Sequence, residues 1–223
     1  MRLEDLKIKI FGDGADLAGM VELAKKPYIS GFTTNPTLMR KAGVTDYEAF
    51  AKAVLEAIPD KPISFEVFSD DFTEMERQAR IIASWADNVY VKIPITNTKG
   101  ESSFEVVRKL SDEGIKINVT ALLTIAQVNH IVKAFSPTTP GIVSVFAGRI
   151  ADTGRDPIPH MREAKKIMEP YSNLELLWAS PRELLNIFQA DSIGCQIITV
   201  LQDILAKLEK VDYDLTKLSL DTV

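Results

Sequence analysis

The chain has 223 residues, 46% of them hydrophobic and 26% charged, which is enough apolar material for a large core and excludes a disordered chain. A formal net charge of -5 argues against a general nucleic-acid or anionic-membrane binder, so the expected partner is a small molecule. One cysteine, Cys195, excludes an internal disulfide, and two histidines, His130 and His160, make no zinc pattern, so no metal and no cofactor are expected.

Short apolar strands alternate with amphipathic helices in repeats of roughly 25 to 30 residues, the spacing of βα units. In chain order the strands are expected at 8–13, 31–35, 63–68, 89–94, 116–120, 142–146, 174–179 and 193–198. Each is followed by a helix. Thr45-Asp46-Tyr47-Glu48, Thr73-Glu74-Met75-Glu76, Ser102-Ser103-Phe104-Glu105 and Thr124-Ile125-Ala126-Gln127 fit the capping box that opens a helix. Ser180-Pro181-Arg182-Glu183 fits too, with proline at the first helical position. Met75, Ala79, Ile82 and Ala86 recur at helical spacing and form one buried stripe, while Gly114 ends the next helix.

Eight such units without a Pro/Gly/Ser-rich linker predict an α/β fold, a single-domain (β/α)8 TIM barrel over residues 1–223. An amphipathic helical tail, Leu201 to Leu208, closes the chain, placed to pack on its own barrel or on a neighbour. An open nucleotide-binding sheet would need G-x-G-x-x-G or G-x-x-x-x-G-K-[ST], and neither occurs. There is no basic-then-apolar leader at Met1 to Asp5, and the most apolar stretch, Ile193 to Leu205, is interrupted by Gln196, Gln202 and Asp203. A cytoplasmic protein that neither crosses nor enters a membrane is the expectation.

Lys92 lies inside Val89-Tyr90-Val91-Lys92-Ile93-Pro94-Ile95, a run that reads as a strand buried on both faces. Burying an unpaired ammonium costs several kcal/mol, and losing the proton removes that cost. The resulting amine is a nucleophile suited to Schiff-base formation with a carbonyl. The blander reading is a lysine snorkelling to solvent or paired with a carboxylate. In a barrel, chemistry gathers at the carboxyl ends of the strands. Those ends carry Asp13, Thr33, Thr34, Asn35, Glu66, Asn118, Thr120, Ser144, Arg149, Ser180 and Arg182. Asp13-Gly14 and Asn35-Pro36 are also ordinary turn openers, Ser180 is explained by capping, and Thr120 by strand preference. Glu66, between apolar neighbours, requires a proton, a cation or an ordered water. Arg149 and Arg182 beside a helix start suit a phosphate as well as they suit a surface ion pair. His130, His160 and Cys195 are assigned no chemistry.

Five segments in order, Gly31-Phe32-Thr33-Thr34-Asn35-Pro36-Thr37-Leu38, Val91-Lys92-Ile93-Pro94, Asn118-Val119-Thr120, Ser144-Val145-Phe146-Ala147-Gly148-Arg149 and Ala179-Ser180-Pro181-Arg182, make the chain resemble the transaldolase family, and its short-chain branch shared with fructose-6-phosphate aldolases. The likeness covers nearly the whole length and implies a class I aldolase type of barrel. It implies Lys92 as the Schiff-base lysine, Asp13 as general acid/base, and Glu66 with Thr120 holding a catalytic water. Thr33, Asn35, Asn118, Ser144 and Phe146 would bind substrate, and Arg149, Ser180 and Arg182 its phosphate. Glu66 and Phe146 side with the transaldolases, since the fructose-6-phosphate aldolases carry Gln and Tyr there. Val145 and Pro181 depart from the pattern of longer or commoner members.

The resemblance implies a sugar-phosphate substrate, sedoheptulose 7-phosphate or fructose 6-phosphate, whose dihydroxyacetone unit passes through a lysine Schiff base to an aldose phosphate, as in the pentose phosphate pathway. Relatives in the short branch form rings, so a homo-oligomer, pentamer or decamer, is expected. Two rivals are a dihydroxyacetone-transferring aldolase and a barrel that binds sugar phosphates without turning them over.

Overall fold

The computed structural model describes residues 3–223; Met1 and Arg2, which open the segment read for a leader, lie outside the described residues. Eight strands pair in sequence order, all parallel, and β1 returns to β8, so the sheet closes into a barrel. They are β1 Lys9–Asp13, β2 Ile29–Thr33, β3 Ile63–Glu66, β4 Val89–Pro94, β5 Ile117–Leu122, β6 Gly141–Val145, β7 Leu174–Trp178 and β8 Ile197–Leu201. Around them run α1 Leu17–Ala24, α2 Pro36–Lys41, α3 Tyr47–Ala57, α4 Phe72–Ala83, α5 Phe104–Asp112 and α6 Ile125–Ile131. The second half adds α7 Ala147–Ala151, α8 Pro157–Met168, α9 Leu185–Ser192, α10 Gln202–Leu205 and α11 Leu215–Thr222. The (β/α)8 expectation holds.

The strands alternate between two environments because successive side chains point to opposite faces. Val89, Val91 and Ile93 of β4 face outward into the main core with Met75, Ala79 and Ile82 of α4. Fully burying each such aliphatic side chain is worth ~1.5–3 kcal/mol, and the outward faces are accordingly apolar, mostly Val, Ile and Leu with Phe65 and Trp178 among them. The inward faces carry a different set. Phe11, Ile142, Leu177, Ala179 and Ile197 form a separate small cluster inside the barrel, with Tyr90 and Phe146 against it. Gly31 is required beside Phe11, since a Cβ there would come 2.6 Å from the Phe11 ring. Below this plug, Lys9 pairs with Glu175 at 2.8 Å and Lys116 lies 5.8 Å from the Tyr90 ring, closing the amino-terminal end with polar contacts.

Several local expectations are corrected. β8 starts at Ile197, not 193, because Gly194 adopts φ 72 and ends the α9 segment in a left-handed turn. Of the five capping boxes only Thr124 forms, with Gln127 returning its side chain to the cap. At α3 and α4 the caps are Asp46 and Asp71, whose carboxylates accept from Ala49 and Glu74 N–H groups. A carboxylate matches the positive end of the helix dipole better than the neighbouring threonine. Ser103, not Ser102, precedes α5 and makes no side-chain cap. Ser180 caps nothing, since α9 begins at Leu185 and Ser180 itself has φ 58. Within the tail, Ile204, Leu205 and Leu208 are buried on the chain's own barrel. No helix among the described residues is long and apolar enough to cross a membrane.

Candidate active site

At the carboxyl ends of the strands a cavity of about 410 Å³ opens, lined by Asp13, Thr33, Asn35, Glu66, Lys92, Thr120, Ser144, Phe146, Arg149 and Ser180 together with Leu177, Ala179 and Thr199. Register brings the central groups into line: Glu66 stands opposite Lys92 across β3 and β4, and Lys92 opposite Asn118 across β4 and β5. Period-two alternation then places all three on the inside of the barrel.

Lys92 is 7% exposed. Its Nζ donates to the Thr34 carbonyl at 2.8 Å and lies 3.0 Å from Glu66 Oε2. The residue therefore does not snorkel. It has the carboxylate partner of the blander reading and also the cavity position of the reactive one. Removing either member of such a buried pair strands the other, at a cost of ~3–5 kcal/mol.

Asp13 ends β1 on the same side. Thr33 Oγ1 donates to its Oδ1 at 2.9 Å and Asn35 Nδ2 donates to its Oδ2 at 3.5 Å. Burial pushes the Asp13 carboxyl above the usual aspartate range, and the Lys92 charge and these two hydrogen bonds only partly offset it. A carboxyl poised in this way can hold or release a proton. Asn35 has two uses, because its Oδ1 also accepts from Leu38 N–H at 2.9 Å and caps α2, with Pro36 at the first helical position. Asn35 thus opens a helix instead of a turn, and the same residue lines the cavity.

Asn118 is fully buried and does not line the cavity. It donates to Ser64 Oγ at 3.0 Å and accepts from Ser144 Oγ at 2.6 Å, so it supports the cavity floor from beneath through Ser144. The opposite wall is built by α7 and the turn after β7. Gly148 makes that wall possible, for its own Cβ would come 1.5 Å from the Ser180 carbonyl oxygen. The close approach sets Ser180 beside Arg149, whose guanidinium carbon lies 5.0 Å from the Phe146 ring. Arg182 is not brought into this lining. Its guanidinium makes a two-pronged pair with Asp152, with Nε at 2.9 Å from Oδ1, and this pairing holds the Asp152 carboxyl below its usual range.

By position and chemistry this cavity is the candidate active site of the barrel, and the comparisons with known proteins give the chain a family. A sequence profile described as "Transaldolase/Fructose-6-phosphate aldolase" matches residues 10–221. The chain belongs to the transaldolase/fructose-6-phosphate aldolase family. A "Probable transaldolase" of Dehalococcoides mccartyi is 34% identical over 202 residues, covering 90% of each chain. A protein of that name from Streptococcus equi subsp. zooepidemicus is 35% identical over 202 residues, again with 90% of each covered. Among solved structures, an HpcH/HpaI aldolase/citrate lyase family protein from Burkholderia cenocepacia superposes with a TM-score of 0.63 at 11% identity, covering 96% of this chain and 95% of that one. KGPDC from Streptococcus mutans gives 0.59 at 11%, covering 90% of each. At those identities the superpositions show the barrel alone.

Membership supports an aldolase-type enzyme and agrees with the order of motifs along the strands. Sequence reasoning missed three residues that line or support the cavity. Thr199, bonded to Thr33, was hidden by the misplaced β8. Ser64 and Tyr47, which hold Asn118 and Glu66 from behind, carried no motif. Only the polar serine in the run Ile63-Ser64-Phe65-Glu66 pointed to the first of these two.

Proposed function

We propose that the protein is a transaldolase, in which Lys92 captures a ketose phosphate and passes its three-carbon unit to an aldose phosphate. The observation that carries this reading is a lysine amine at the base of the cavity, 3.0 Å from Glu66 and within the field of Asp13. A proton passing from Nζ to the Glu66 carboxylate leaves a free amine pair for attack on the C2 ketone. The carbinolamine formed loses water, whose oxygen takes its proton from Glu66, with Thr120 in reach of that water. The product is an iminium ion on Lys92.

Asp13 next accepts the proton of the C4 hydroxyl. The C3–C4 bond breaks, its electrons flow into the iminium, and an aldose phosphate leaves while the enamine stays on Lys92. Asn35 and Ser144 hold its hydroxyls, with Asn118 fixing Ser144, and Thr33 fixing Asp13. The enamine then attacks the acceptor aldehyde, Asp13 returns the proton, and water releases the new ketose. Arg149 and Ser180 hold the substrate phosphate, and Arg182 joins them when it exchanges Asp152 for the phosphate. Phe146 brings no hydroxyl that would activate water against the enamine, which favours transfer over hydrolysis. The chemistry is carried by side chains without a metal or cofactor.

The protein acts in the cytoplasm as a homo-oligomer in this reading, a pentamer or decamer. Support for assembly comes from α11, which buries none of its residues and exposes Leu215 and Leu220. The deciding assay incubates the enzyme with fructose 6-phosphate, with and without erythrose 4-phosphate. Transfer predicts turnover that requires the acceptor; equal turnover without it, releasing free dihydroxyacetone, would replace transaldolase by aldolase.

A further inference from the structure

Thr34 and Glu66 are joined in an unusual way, and the reason is Tyr47. In the parallel pairing of β2 with β3, the Thr34 N–H donates to the Ser64 carbonyl at 3.1 Å. The next ladder bond in that register would run from the Glu66 N–H to the Thr34 carbonyl. It is not made. The Thr34 carbonyl instead accepts from Lys92 Nζ at 2.8 Å, and the Glu66 N–H donates to Tyr47 Oη at 2.8 Å. Tyr47 Oη in turn donates to the Glu66 carbonyl at 3.0 Å.

We propose that Tyr47 is a positioning residue for the reactive lysine: its hydroxyl takes the place of a strand carbonyl, frees that carbonyl for the Lys92 amine, and fixes the backbone from which Glu66 reaches the same amine. The inference rests on the roles of Lys92 and Glu66 given above. Tyr47 opens α3 and is held there by edge-on ring contacts to Phe65, Phe68 and Trp85, with centroids 6.2, 4.6 and 5.7 Å away. The hydroxyl is therefore aimed by a rigid aromatic cluster, not by a mobile side chain. Burial pushes the Tyr47 hydroxyl far above the ordinary tyrosine range, so it stays a donor at every working pH. Without that hydroxyl, the part-buried Glu66 N–H loses its acceptor, and the one that the strand register offers in its place is the Thr34 carbonyl, which would then be shared with Lys92 Nζ and drawn toward the strand.

The test is Tyr47→Phe, which keeps the ring and its packing, measured beside Glu66→Gln and the double variant, with kcat normalised to the folded fraction. The expectation is that Tyr47→Phe lowers kcat about tenfold with KM within about twofold, the signature of lost alignment and not of lost binding. In the Glu66→Gln background the same change is expected to be much smaller, because the group it aligns is already gone. Trp85→Phe, which loosens the same cluster without touching the hydroxyl, serves as the matched control; it is expected to lower the melting temperature and leave kcat within about twofold. A Tyr47→Phe enzyme with unchanged kcat, or effects that multiply in the double variant, overturns the positioning role. Should Glu66→Gln itself retain full activity, the role given to Glu66 fails first and the inference falls with it. A Tyr47→Phe chain that does not fold, beside a folded Trp85→Phe chain, makes the hydroxyl structural and also overturns it.

Discussion

The two sides of the cavity are built on different principles. Asp13, Glu66 and Lys92 project from strands and are largely removed from solvent; Lys92 pairs directly with Glu66, and Asp13 is held by Thr33. Arg149, Ser180 and Arg182 project from a five-residue helix and an irregular turn, and Arg182 is already paired with an exposed carboxylate. The strand side can hold atoms to a fraction of an ångström, as proton transfer and bond cleavage demand. The helix side tolerates adjustment, which suits the phosphate grip proposed for it. In the proposed reading, chemistry is built into the sheet and selection of the substrate into the connections that follow it.

That contrast can be broken in graded ways. The largest effect is expected at Lys92→Ala, with kcat at background and a chain that still folds by circular dichroism, since a small residue removes the nucleophile; measurable turnover would break the assignment of the chemistry to the strands. Asp13→Asn is expected to lower kcat by about two to four orders of magnitude, the usual contribution of a general acid/base. It also carries a stability test. Because burial raises the Asp13 carboxyl above its ordinary value near 3.8, the native state prefers the protonated form, and the stability it gives is present at low pH and lost as pH rises through the raised value. Asp13→Asn is accordingly expected to melt higher than the parent at neutral pH, with the gap closing toward pH 3.8. A variant that melts lower at pH 7 and equally at low pH would contradict the sign.

On the other side, Gly148→Ala sharpens the comparison. Its methyl would meet the Ser180 backbone, so α7 and the following turn must separate. KM for fructose 6-phosphate is expected to rise more than tenfold while the rate of Lys92 trapping by an unphosphorylated ketone changes little. Arg149→Ala is expected to raise KM by about tenfold with kcat nearly unchanged, the pattern of uniform binding lost. The smallest effect belongs to Asp152→Asn, an exposed pair worth little in stability; KM for the phosphorylated substrate is expected to fall by about twofold as Arg182 is released. A rise in KM would make Asp152 a support for Arg182 instead of a competitor for it.

The sequence showed the strand side far better than the helix side, for a physical reason. A charged residue such as Lys92 or Glu66 stands out within an apolar period-two run because burial there demands an explanation. Ser180 and Arg182 lie in a turn where serine, proline and arginine are ordinary, so a capping pattern was read where a left-handed residue stands. Competing caps produced the same error at Thr45 and Thr73, each with an aspartate within two residues. Thr199 was missed because a left-handed glycine at position 194 looked like part of an apolar strand. Tyr47 could not be found from sequence, since nothing in a helix start says that its hydroxyl crosses to the end of a strand. Burial of Cys195, which pushes its thiol up to about 12, agrees with assigning it no chemistry.

The most direct test of the central claim is borohydride reduction in the presence of fructose 6-phosphate, followed by peptide mass mapping of the parent and of Lys92→Arg. A stable three-carbon or ketose adduct is expected on the peptide that contains Lys92, and on no peptide of the Lys92→Arg chain. Modification of another lysine, or an adduct that persists in Lys92→Arg, would contradict the account.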